Sequence, residues 1–310
     1  MTNLKKLGLS ALAGSLVATT GYAGTFDVTG AAKVSYVSKD ETEVTGNPFS
    51  MTRDIGIAGS GEMDNGMTIS YNQTLSAGAF SSSSLTLDMG DAGTLTFANG
   101  TAAGHGISAY EDKMPTANEQ VWDDLDGELN GLANISKSNT LGYGTSFAGA
   151  NVSVSYNPDA GSTTAESSKS IAVDFAPVDG AMVFYSMADK SGTTVNNGTD
   201  IWTAGGTYTT GGLTAGLQLT SLDLTAANSD VDRRHFAASF AVNEDLSVSW
   251  GMSTVEFEAA SKVDQEDSGF SVSYTMGSMT IAAAANNSDN VGGTSGTDDT
   301  HKEMSIAFAF

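Results

Sequence analysis

Period-two alternation runs through this chain from about residue 25 to its last residue, and few folds accommodate such a pattern. In TFDVTGAAKVSYVS, Phe26, Val28, Ala32, Val34 and Tyr36 share one parity, and Asp27, Thr29, Lys33 and Ser35 take the other. In MTISYNQTLS, Met67, Ile69, Tyr71 and Leu75 alternate with Thr68, Ser70, Asn72 and Thr74. LTAGLQLT, LSVSWGMST and FSVSYTM keep the same beat. HKEMSIAFAF carries it to the terminus, with Met304, Ile306, Phe308 and Phe310 on one side and Ser305, Ala307 and Ala309 on the other. Successive side chains of a strand point to opposite faces, so each segment reads as a strand with one apolar and one polar face. Beyond residue 23 no apolar run approaches the ~20 residues of a membrane-spanning helix.

The connectors order these strands. Short ones at 63–66, 90–93, 148–150, 177–180, 209–212, 243–245 and 277–278 are mostly built on Gly, Asn and Asp, which supply the positive φ of tight hairpins. Longer polar ones fall at 39–50, 77–82, 101–138, 158–169, 188–199, 222–231, 255–267 and 287–300. Short and long alternate without a break, which gives sixteen strands with both termini on the short-turn side. The pair between Asp174 and Met187 is the least distinctly patterned. Short turns at one end and long loops at the other describe an all-β, 16-stranded antiparallel up-and-down transmembrane β-barrel, apolar outside and wet inside. Closure removes both sheet edges, and in lipid it is mandatory because every backbone group must be paired internally. At this strand number the bore admits an aqueous channel. The alternative is a secreted β-rich adhesin with its core inside, which heat-modifiable gel migration would distinguish from a barrel.

Residues 1–23 stand apart. Lys5 and Lys6 precede an apolar stretch from Leu7 to about Ala18, with small residues at Gly21 and Ala23, the layout of a secretory signal peptide. The expected organisation is a leader over 1–23 and one barrel domain over 24–310. The whole chain has 13 basic against 36 acidic residues, and the leader contributes only lysines, so the mature protein is more acidic still. That balance excludes nucleic acid as a partner, since phosphate binding needs clustered Lys and Arg. It suits an interior or surface that attracts cations. The absence of cysteine excludes disulfides and thiolate metal sites.

The third long loop, 101–138, is out of scale with the rest and opens after the fifth strand. It carries Glu111, Asp112, Glu119, Asp123, Asp124, Asp126 and Glu128 against Lys113 and Lys137. If it folds into the bore these carboxylates form a constriction that favours cations, as charged rings do in channels; otherwise they solvate a surface loop. The run DDLDGELNG fails the EF-hand spacing, because Gly127 at position six would put Trp122 and Ala133 at ligand positions. Weak divalent cation binding by the acidic loops remains an expectation with no ligand set, and no other cofactor is expected. His105 lies in the third loop, His235 and His301 read as rim residues near strand starts, and no catalytic spacing joins them, so no enzyme is expected. Trp202 and Trp250 share the lipid parity, which leaves Trp122 as the candidate for a solute-binding aromatic in a substrate-specific channel.

TRDIGIAGSGEMDNGMTISY resembles the second and third strands of general Gram-negative porins, with Ile55, Gly56, Ile57, Gly59, Ser60, Glu62, Asn65, Gly66 and Met67 matching in order. MGDAGTLTFANG is similar to that family's turn between strands four and five, and Phe310 to its C-terminal aromatic. The resemblance implies a passive diffusion pore for small hydrophilic solutes and ions in the outer membrane, a homotrimer, and a third loop folded inward against basic wall residues. It also implies that the assembly machinery reads the last strand, through Phe308 and Phe310. The basic wall is depleted here: the family's lumen arginines fall at Asp54 and Asn99, and a lysine at Ala58. Lys33 remains on the lumen parity, while Arg53 shares the parity of Ile55 and is expected near the rim, snorkelling. Cation preference is the expected consequence.

Overall fold

The computed structural model describes residues 24–39, 46–99, 104–111, 113–123, 125, 139–158, 167–190 and 199–310. The expected leader at 1–23 and the loop carboxylates Asp112, Asp124, Asp126 and Glu128 lie outside these residues. Sixteen strands follow in order: β1 Thr25–Lys39, β2 Phe49–Glu62, β3 Thr68–Ser76, β4 Ala79–Asp88, β5 Thr94–Asn99, β6 Thr140–Phe147, β7 Ala150–Asn157 and β8 Ser168–Phe175. The second half comprises β9 Ala181–Lys190, β10 Thr199–Thr210, β11 Leu213–Leu224, β12 Val231–Ala241, β13 Leu246–Phe257, β14 Gln265–Met276, β15 Met279–Asp289 and β16 Asp299–Ala309. Each pairs antiparallel with its neighbours in sequence, and β1 pairs with β16 to close the barrel.

Closure explains the patterned terminus. The register runs from Ala31 opposite Ala309 to Lys39 opposite His301. Phe310 extends it by a reciprocal backbone pair with Gly30, at 2.6 and 2.9 Å. The outward stripe is apolar around the wall, as Phe26, Val34, Ile55, Tyr71, Trp202, Trp250, Met304 and Phe308 illustrate. Phe310 is 80 % exposed at the short-turn end.

All seven short turns fall where the sequence puts them, but the second long loop does not exist. Ala77 and Gly78 alone join β3 to β4, with φ of 51° and 85°. Positive φ at both central residues marks the two-residue hairpin that matches strand twist. The run Phe80–Ser84 belongs to β4, with a register shift opposite Thr74 and Leu75. Serine carries no facial signal, so a strand written in serine reads as a loop.

The wall is uneven. β1 and β2 have 15 and 14 residues, whereas β5 has six and β6, β7 and β8 have eight each. From β9 onward every strand has at least ten.

Candidate functional site

Inside the barrel the polar stripe does two different jobs. Along β7, β8, β13 and β14 its serines hold the backbone of the third loop. Gly106 N–H donates to Ser153 Oγ at 2.9 Å and Ile107 N–H to Ser170 Oγ at 3.1 Å. Further along, Ala117 N–H donates to Ser249 Oγ at 2.9 Å and Asn118 N–H to Ser271 Oγ at 3.1 Å. Asn286 of β15 donates through Nδ2 to the carbonyl of Gln120 at 3.0 Å. Such bonds satisfy loop backbone that would otherwise be buried without partners. Gly106 is required: its φ is 62°, and a Cβ there would come within 1.8 Å of Ser170 Oγ.

The loop also buries side chains against this wall. Ile107, Tyr110, Met114, Val121 and Trp122 form one apolar cluster with Ala172, Phe184, Ala188, Ile201, Leu222 and Ala237. The ring of Tyr110 stacks on Phe184, centroids 4.5 Å apart and 4° from parallel, and its hydroxyl donates to Asp174 at 2.8 Å. Burial, reinforced by the Asp174 carboxylate, raises the Tyr110 phenol above its ordinary value. Trp122 packs on the His235 ring at 4.4 Å. Each such side chain contributes roughly 1.5–3 kcal/mol when fully buried, so the loop is docked mainly by apolar packing.

This corrects three expectations. The inner face is not uniformly wet, since Phe184, Ile201 and Leu222 on the lumen parity build a core within the bore. His235 and His301 are not exposed at the rim: His301 does lie near the start of β16, but both are buried on the inner face, 1 % and 4 % exposed. Trp122 is 2 % exposed and offers no aromatic surface to a passing solute. The sequence carried a signal for the core: bulky apolar residues on the otherwise polar parity of β9, β10 and β11, beside a loop rich in Ile, Met, Val and Trp. The buried polar patch of Arg233, His235, Ser253, Asp267 and Ser288 on β12–β15 gave no spacing signal, because only strand register assembles it.

The loop contacts described above fall on β7–β15, leaving the inner face of β1–β4 as the opposite wall. There the register puts Asp27, Asp54, Glu62 and Asp88 on the lumen parity. None of these four forms an ion pair among the described residues. Lys33 is on this wall too, but its ammonium binds Glu303 of β16 at 2.9 Å. Arg53 is exposed on the outer face, level with the Ala77–Gly78 turn, whose Ala77 N–H donates to the Arg53 carbonyl at 2.8 Å. Of the predicted loop carboxylates, Asp123 accepts from the Gln120 N–H at 2.8 Å, and Glu111 and Glu119 are half-buried. His105 lies against Gly142 and Gly144 of β6, where burial lowers its pKa below 6.5. Among the described residues no group of His, Asp and Glu is arranged to hold a metal ion.

A closed barrel with an apolar exterior, a polar lumen and an inward-folded loop is a membrane-spanning channel. The sequence profile of the Gram-negative porins matches residues 8–310, and the chain belongs to that family. It is thus an outer-membrane protein that forms a passive diffusion channel. Solved structures agree in fold. An anion-selective porin from Comamonas acidovorans superposes with a TM-score of 0.69 at 15 % identity, covering 93 % of this chain and 100 % of its own. The trimer form of OmpT, an outer membrane protein of Vibrio cholerae, gives 0.69 at 11 %, covering 93 % and 100 %. A mutant of the Rh. blastica porin gives 0.62 at 15 %, covering 92 % and 100 %. No curated protein sequence matches the chain.

Proposed function

We propose that this porin is a general diffusion channel for small hydrophilic solutes that prefers cations and performs no catalysis. One observation carries the reading: the β1–β4 wall presents Asp54, and toward its short-turn end Asp27, Glu62 and Asp88, with no ion-pair partner among the described residues, while Lys33 is neutralised by Glu303. Carboxylates on the low-dielectric walls of a water-filled bore raise the local cation concentration and repel anions. The acidic third loop adds to that field wherever its remaining carboxylates face the bore. The reversal potential of single channels across a KCl gradient tests this. A sign favouring potassium is expected, and one favouring chloride overturns the reading.

The remaining parts of the proposal follow from the same frame. Residues 1–23 act as the export signal, the assembled protein is a homotrimer, and the C-terminal strand engages the assembly machinery. The buried position of Trp122 and the outward Trp202 and Trp250 weigh against a sugar-specific channel. Maltose-type solutes should therefore leave the current unblocked.

A further inference from the structure

Under the third loop, inside the bore, lies a cavity of about 750 Å³, within the size range of small-molecule sites. Tyr110 of the loop contributes to its roof, Asp91 of the β4–β5 turn to its floor, and Ser146, Asn151, Ser153 and Asp174 to its wall. Ser146, Asn151 and Asp174 each stand one residue in from the short-turn end of their strand. The cavity therefore occupies the periplasmic half of the bore, away from the β1–β4 wall.

At its centre is one carboxylate held from two sides. The Tyr110 hydroxyl donates to Asp174 Oδ2 at 2.8 Å, and Asn151 Nδ2 donates to Asp174 Oδ1 at 2.8 Å. Ser146 Oγ donates in turn to Asn151 Oδ1 at 2.7 Å, which fixes the amide. Loop, β6 and β7 thus converge on a single preset group of β8. Its charge is not neutralised: Asp174 forms no ion pair among the described residues, and no basic side chain lines the cavity. Acceptor capacity is left over on the Asp174 carboxylate, the Asn151 carbonyl and the Ser146 hydroxyl.

This lining separates the possible ligands. An anion meets no positive charge, and a neutral polyol leaves the carboxylate uncompensated. Calcium or magnesium needs several oxygen ligands at once, and among the described residues no group of His, Asp and Glu is arranged to hold a metal ion. Potassium must have its water shell replaced on all sides, whereas these acceptors line one side of a much larger space. A quaternary ammonium is recognised on open aromatic faces, but the Tyr110 ring is stacked on Phe184 with centroids 4.5 Å apart. A primary ammonium brings one charge and three N–H donors, and it bonds the carboxylate and the neutral acceptors beside it.

We propose that this cavity retains small solutes bearing a primary ammonium group, bound on Asp174, so that their passage through the channel saturates. Single channels in KCl with added ethanolamine or choline, which differ only in three N-methyl groups, test it through conductance and current noise. Ethanolamine should lower the wild-type conductance saturably and add binding noise, while choline does neither. Asp174→Asn should weaken ethanolamine binding about tenfold, the loss of one charge-assisted bond. Because that change also releases Tyr110, Phe184→Leu is measured beside it: it loosens the Tyr110 ring, keeps the carboxylate and should keep the saturation. Equal saturation by the two solutes overturns the proposal. So does saturation that survives Asp174→Asn, or that Phe184→Leu abolishes as fully. Reversal potentials of the same channels keep this site apart from the cation preference, which rests on the β1–β4 wall. Potassium preference without ethanolamine saturation overturns the site alone, and saturation lost only in Asp174→Asn supports it whichever ion the gradient favours.

Discussion

Trp122 docks the loop by packing on His235 and joining the apolar cluster. Truncating a buried tryptophan costs about 3–5 kcal/mol, and here that loss falls on the loop. Trp122→Ala should leave the barrel heat-modifiable on a gel yet make single-channel current noisier and expose the third loop to protease. An unchanged current would mean that the serine bonds suffice without the ring. His105 gives the same loop a pH dependence. Burial lowers its pKa below 6.5, so the folded state disfavours the charged ring and the unfolded chain takes up the proton first. The stability tied to neutral His105 is therefore complete above about pH 6.5 and is lost as pH falls through the lowered value. Thermal unfolding of wild type should drop between about pH 7 and pH 5, and His105→Gln should flatten that drop. Parallel pH profiles would assign it to other groups. On the opposite wall, Asp54→Asn should move the reversal potential toward zero, since it removes an unpaired lumen carboxylate.

At the scale of elements, strands whose two faces differ were legible from residues alone. The β1, β13 and β16 stripes fall on the faces their parity assigns. Strands lacking that contrast were not. The serine run of β4 has no apolar parity, so the sequence lengthened the turn that precedes it. The loop core was hidden for a related reason, because Phe184, Ile201 and Leu222 register as exceptions until a loop arrives to cover them. The β3–β4 turn offers a test of backbone conformation by itself. Ala77 has a φ of 51°, a left-handed conformation that costs an L-residue about 1–2 kcal/mol and glycine little. Ala77→Gly or Ala77→Asn should raise resistance to urea in detergent by about 0.5–1 kcal/mol, offset in the glycine case by added unfolded-state entropy. A loss of stability in both variants would show that the turn is held by contacts the alanine methyl makes.

For the whole molecule, everything depends on one seam. Fifteen of the strand pairings join neighbours in sequence, whereas β1 with β16 brings together residues some 270 apart. That pairing carries the largest loop-closure entropy cost of the sixteen, and until it forms both edges are open to mispairing. The seam is fastened inside by Lys33 with Glu303 at 2.9 Å and at the short-turn end by the Gly30–Phe310 backbone pair. There the Phe310 ring lies over Gly30, so closely that a Cβ would come within 2.4 Å of it. Deleting Phe310 removes this end of the seam and leaves the lumen untouched. The amount of assembled barrel in cells should fall several-fold, while channels that do insert keep wild-type conductance. Gly30→Ala should weaken assembly in the same direction by displacing the ring without shortening the strand. Normal assembly of both variants would mean that the register from Ala31 to Lys39 closes the barrel by itself; lowered conductance in inserted channels would place the terminus in the lumen's architecture instead.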